Sequence, residues 1–150
     1  MLYFEDIEIG RSASFGHCLV TREEVIEFAT KYDPQPFHLS DEAAAKTYFG
    51  RLSASGWHSC AMVMAMLVEH SQSGEGTAGL GSPGLDTLRW HKPVFPGDTL
   101  RCESEVVEKT RSRSRPEMGS YLSMMRVFNQ HDEMVMSFKS IALIRTRNPT

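Results

Sequence analysis

The chain of 150 residues has only three cysteines, Cys18, Cys60 and Cys102. They are odd in number and widely spaced, which excludes a disulfide framework and a cysteine-based zinc site and fits a reducing compartment. The net charge is only −3. Neither a nucleic acid nor an anionic membrane surface is expected as partner. No apolar run reaches the roughly 20 residues that cross a bilayer. The opening segment MLYFEDIEIG is acidic and lacks the apolar stretch of a secretory leader, so a cytoplasmic location is expected. Repeats, low-complexity tracts and internal linkers are also missing. What remains is ordinary: 41% hydrophobic and 23% charged residues, enough for one domain over residues 1–150 with a core of its own.

One stretch stands out from this average background. From Trp57 to Val68, ten of twelve residues are apolar, interrupted only by His58 and Ser59. Such a run is long for a strand and rich in Met and Ala, so it predicts a helix enclosed on most sides by protein. Ser55-Gly56 would begin it, and Gly74 or Gly76 would lie beyond its end.

The rest of the chain supplies the enclosure. Ser12 to Val20 predicts a first strand. Thr21 followed by Glu24 is a capping-box pattern, and Val25, Phe28, Ala29 and Tyr32 recur at helical spacing over residues 22–32. Pro34 disfavours helix at Asp33 and ends it. Asp33 to His38 then forms a loop stiffened by two prolines. Ser40 predicts a second cap, for a helix running to about Phe49 and stopped by Gly50. Six glycines and prolines between Gly74 and Gly84 predict a flexible connection. Four strands follow: Leu85 to Trp90, Thr99 to Val107, Tyr121 to Phe128 and Met134 to Ile144. Leu100, Cys102 and Val106 fall on one face of the second of these. A polar hairpin from Arg111 to Gly119 joins it to the third. The order predicts an α+β fold in which a long antiparallel sheet curls around one buried helix.

Three segments carry a family resemblance: Asp33-Pro34-Gln35-Pro36-Phe37-His38, Ala54-Ser55-Gly56-Trp57-His58-Ser59, and Leu88 through Asp98. With them the chain resembles the MaoC-like dehydratases, single hotdog domains that include (R)-specific enoyl-CoA hydratases and form dimers. The family motif is Asp-x-Asn-Pro-x-His. Asp33, Pro36 and His38 match it, while Gln35 stands where Asn is usual. The resemblance implies hydration or dehydration of an α,β-unsaturated acyl-CoA thioester, with coenzyme A as part of the substrate, no separate cofactor and no metal. It implies a homodimer or a dimer of dimers.

Adding water to such a thioester needs a base for the water, an acid for Cα and a donor for the enolate oxygen. Asp33 and His38 are the expected acid–base pair, able to hold one water between them. The Gly56 N–H, at the positive end of the central helix, is the expected oxyanion donor. Each residue also has a plainer reading. Asp33 suits a helix stop, His38 a loop histidine bonded to backbone, and Ser55 and Ser59 helix caps. Ser55, Trp57, His58, Arg51 and Arg89 are expected around the substrate, with His58 also fitting a structural role. Arg51, Arg89, Lys92 and the Arg111–Arg115 tip compete for the CoA phosphates. His91 reads as a surface residue at a strand end. Two further functions stay open: an acyl-CoA thioesterase on the same fold, and a non-catalytic acyl-binding subunit.

Overall fold

In the computed structural model, which describes residues 1–149, five strands form one antiparallel sheet: β1 (Ser12–Leu19), β2 (Gly79–Trp90), β3 (Thr99–Arg111), β4 (Met118–Phe128) and β5 (Met134–Arg145). Their spatial order is β1-β3-β4-β5-β2. The helices α1 (Arg22–Tyr32), α2 (Asp41–Ala44) and α3 (Gly56–Ser73) all lie between β1 and β2 in the chain. This is the expected α+β hotdog arrangement. Strands of twelve residues span roughly 40 Å, and a sheet that long twists and curls.

The core forms where the inward face of the sheet meets α3. Met62, Val63 and Met66 of α3 are buried against Leu100, Cys102, Met125, Met136 and Phe138. Each side chain removed from water contributes roughly 1.5–3 kcal/mol. The alternation in β3 is as expected, with Leu100, Cys102 and Val106 buried.

Four sequence expectations need correction. The enclosure of α3 is incomplete: Trp57, Met64 and Val68 are 61%, 56% and 45% exposed. They lie one above another at seven- and four-residue spacings and form an uncovered apolar stripe. The second helix ends at Ala44 rather than near Phe49. Its last turn tightens to i−3 bonds at Lys46 and Thr47, and the Thr47 hydroxyl donates to the Ala44 carbonyl at 2.7 Å, which ends the α-helical ladder. The glycine-rich connection is largely strand. β2 begins at Gly79 and pairs with β5, its register slipping at Gly81, Gly84 and between Asp86 and Arg89. Bulges absorb the glycines. Pro83 is tolerated because β2 is an edge. The hairpin between β3 and β4 is shorter than expected, since the strands run to Arg111 and from Met118. Among the described residues, no helix is long and apolar enough to cross a membrane.

Candidate active site

The site begins where α1 stops. Thr21 caps α1 by accepting the Glu24 N–H. At the other end the Asp33 N–H makes the last helical bond, to Ala29 O at 2.9 Å, and Pro34 turns the chain away. Pro36–His38 forms a single 3₁₀ turn, in which the His38 N–H donates to Gln35 O at 2.9 Å. Two prolines and this short turn fix the separation of Asp33 and His38.

The His38 ring is 5% exposed. Its Nδ1 lies 2.7 Å from the Ser53 carbonyl oxygen. A carbonyl only accepts, so Nδ1 carries the hydrogen and, in the neutral ring, Nε2 keeps its lone pair. Nε2 lies 3.5 Å from Asp33 Oδ2. Phe37 meets the ring edge-on at 4.5 Å between centroids and stacks on Phe49, which limits its rotation.

Asp33 is held at both oxygens. Gln35 Nε2 donates to Oδ1 at 2.7 Å, and Ser55 Oγ donates to Oδ2 at 2.7 Å. The departure from the family Asn therefore still gives a side-chain amide bonded to the aspartate. Burial pushes this carboxyl up, but the Ser55 and Gln35 hydrogen bonds and the neighbouring His38 outweigh it, and its pKa lies below the ordinary value. Ser55 is also the cap of α3, its Oγ accepting the Trp57 N–H at 3.3 Å. One hydroxyl thus ties the carboxylate to the start of the central helix.

These groups open on a cleft of about 450 Å³. Asp33, His38, Gly56 and Trp57 line it together. Ser55 is fully buried and acts on the cleft through Asp33. At Gly56 the packing of the cleft wall requires glycine. A Cβ there would lie 2.5 Å from Trp90 Cε2, and the Trp90 indole N–H donates to Gly56 O at 3.0 Å. Glycine admits the indole. The Gly56 N–H itself meets no acceptor among the described residues.

Three expected substrate residues stand elsewhere. His58 is 7% exposed and stacks on Phe28, with centroids 4.8 Å apart. Its place one position past Trp57 turns it from the cleft toward α1. The Arg51 guanidinium lies over the Phe95 ring at 3.9 Å. Arg89 is exposed on β2 and is absent from the cleft wall. Of the other basic candidates, Lys92 reaches the cleft and pairs with Glu133. Arg111 is engaged with Glu5 and the Asn148 carbonyl, and Arg115 lines a separate groove. Sequence reasoning missed Trp90 and His91 as cleft residues. His91, read as a surface residue, bonds Ser137 Oγ through Nε2 at 2.7 Å. Their only signal was their place in the Leu88–Asp98 segment that carries the family resemblance. Among the described residues, no cluster of three or more metal-binding side chains occurs.

His58 carries a consequence for stability. Its Nδ1 is buried without a partner, and burial lowers its pKa from 6.5, against a smaller opposing pull from Glu24. The unfolded chain therefore binds a proton that the folded chain resists. Stability from this source is complete above about pH 6.5 and is lost as pH falls toward the folded pKa. Urea midpoints at about pH 8 and about pH 5 should fall less between the two in His58→Leu than in wild type; equal falls would contradict this.

Residues 6–125 match the model of the MaoC like domain family. The chain is 30% identical over 149 residues to the 3-hydroxybutyryl-CoA dehydratase of Methylorubrum extorquens, covering 96% of this chain and 85% of that one. The crystal structure of a MaoC-like dehydratase from Rhodospirillum rubrum superposes with a TM-score of 0.88 at 34% identity, covering 99% of both chains. The unliganded (R)-hydratase PhaJ1 of Pseudomonas aeruginosa superposes at 0.68 with 28% identity, covering 97% of this chain and 86% of that one. With its hotdog fold and the Asp-x-x-Pro-x-His loop at the head of its central helix, the chain belongs to the MaoC-like hydratase and dehydratase family.

Proposed function

We propose that the protein adds water to, or removes it from, an α,β-unsaturated acyl-CoA thioester. The observation that carries this reading is the 3.5 Å approach of His38 Nε2 to Asp33 Oδ2 beside the amino end of α3. A carboxylate and a neutral Nε2 both accept, so a water touching both can donate one O–H to each. His38 takes one proton as the water oxygen bonds to Cβ, and Asp33 stabilises the resulting imidazolium. The electron pair of the double bond moves onto the thioester oxygen, which the Gly56 N–H receives. The imidazolium then returns its proton to Cα from the same side. Dehydration is the reverse.

The cleft walls of Trp57, Trp90 and Val94 suit an acyl group, and Lys92 at the cleft is the basic residue best placed for the CoA phosphates. Two of the similar proteins are a 3-hydroxybutyryl-CoA dehydratase and an (R)-hydratase, which supports the substrate class. The test is loss of enoyl absorbance from crotonyl-CoA and longer or branched enoyl-CoA esters. Release of free CoA thiol without hydration would instead identify a thioesterase. Binding of these esters without turnover would identify a non-catalytic subunit.

The protein works as a homodimer in this reading. β2 leaves an open sheet edge, a form of surface that chains cover by pairing. The exposed stripe of Trp57, Met64 and Val68 offers apolar area for the same contact. Wild type should sediment as a dimer at micromolar concentration, and Met64→Glu with Val68→Glu as a folded monomer. A monomeric wild type would remove this part of the reading.

A further inference from the structure

A second cavity, of about 340 Å³, lies at the other end of α3. Its position along the helix, near His70 rather than Trp57, puts it roughly 20 Å from the catalytic pair. Its floor breaks the inward pattern of the sheet. Ser104 stands between buried Cys102 and Val106 on β3, Ser123 two residues before buried Met125 on β4, and Ser140 two after buried Phe138 on β5. Strand residues two apart share a face, so all three serines point inward, where apolar residues belong. They are also neighbours: Ser123 pairs directly with Ser140 and with Val106, two residues along from Ser104. None of the three hydroxyls bonds a protein group among the described residues, and all three line the cavity.

The remaining polar wall is rich in donors. Arg11 lies at the rim and forms no ion pair among the described residues. The Tyr121 hydroxyl sits close to Thr77, and burial raises its pKa, which keeps it a neutral phenol. The one carboxylate in the wall, Glu75, faces the chain's amino terminus at 3.9 Å. His70 closes one side, stacked on Phe15 at 4.2 Å. The volume equals roughly ten waters and falls at the low end for small-molecule sites. A guanidinium, a phenol and three hydroxyls around a space of that size suit a compact ligand with a carboxylate and further oxygen acceptors.

We propose that this cavity is a second binding site, for a small hydroxylated carboxylate, separate from the acyl-CoA cleft. Its carboxylate pairs with Arg11 and Tyr121, and its other oxygens meet Ser104, Ser123 and Ser140. The test titrates the full chain with malate, citrate and, as a neutral control, glycerol, and follows backbone amide shifts by NMR. Malate or citrate should move the amides of Ser104, Ser123 and Ser140, and glycerol should not. Arg11→Gln, a change at an exposed rim residue, should weaken binding at least tenfold. Ser123→Leu fills the floor and should abolish binding while enoyl-CoA turnover stays at the wild-type level. No shift at these amides with either acid would overturn the proposal, as would equal binding by glycerol or undiminished binding in Arg11→Gln. Because the readout is binding remote from the cleft, it stands apart from whether the protein proves to be a hydratase.

Discussion

Asp33→Asn and His38→Ala should each lower turnover of an enoyl-CoA by a factor of about 100 to 10,000, the range of positioned acid–base groups. At about 1.4 kcal/mol per tenfold, that is roughly 3–5.5 kcal/mol of transition-state stabilisation. The asparagine change keeps the size of the side chain but removes its charge, and with it the stabilisation of a protonated His38. His38→Ala removes the imidazole whose Nε2 lies 3.5 Å from the carboxylate. The double variant should be little worse than either single one, because residues that act as a unit lose their function together. Folding should survive in Asp33→Asn, since its Oδ1 can still accept from Gln35 or Ser55. Steady-state kinetics on the three variants, with circular dichroism as the folding check, decide the matter. Near-wild-type rates in both single variants would remove the pair from the mechanism.

Gly56→Ala should damage stability and activity at once. The added methyl would sit 2.5 Å from Trp90 Cε2 and 2.8 Å from Trp90 Nε1. Either the indole or the start of α3 must move. Overpacking of this kind costs about 1–3 kcal/mol, and the Trp90 hydrogen bond to Gly56 O is lost with it. If the Gly56 N–H receives the enolate oxygen, its displacement should also cost about 100-fold or more in kcat, with less effect on KM. Trp90→Ala separates the two effects. Combined with Gly56→Ala it removes the clash, so stability lost to the methyl should return. A Gly56→Ala protein as stable and active as wild type would show that the helix start tolerates the methyl without shifting.

The elements that position the catalytic pair were legible in the sequence because their signals are local. Thr21, Pro34 and the two-proline loop act within a few residues of themselves, and the ends of α1 fall where those residues put them. The run from Trp57 to Val68 is helical as its composition requires. What that run could not show was which side would face the sheet and which would stay open, since every side is apolar. β2 was obscured by its glycines: Gly79, Gly81 and Gly84 resemble a linker, and only the partner strand β5 shows that they are bulges in an edge. The partners of Asp33 were partly visible. Gln35 is two residues away, but Ser55 is twenty-two positions distant; its cap was legible at the helix start, and its donation to the carboxylate follows only from the fold. Trp90, His91 and Lys92 reach the cleft through the pairing of β2 with β5, which no short-range pattern encodes. His58 is the converse case. Its position beside Trp57 placed it with the site in the sequence, whereas the helical rotation of about 100° per residue turns it onto Phe28.

The geometry of Asp33 and His38 makes a stereochemical demand, because a single water held by two groups on one side of the double bond supplies both oxygen and proton. Hydration of crotonyl-CoA in deuterium oxide, with the relative configuration at C2 and C3 of the product read by proton NMR, tests this directly. Syn addition of deuterium and hydroxyl is the expected result. Anti addition, or a product with both configurations at C2 in equal amounts, would contradict delivery from one Asp33–His38 pair.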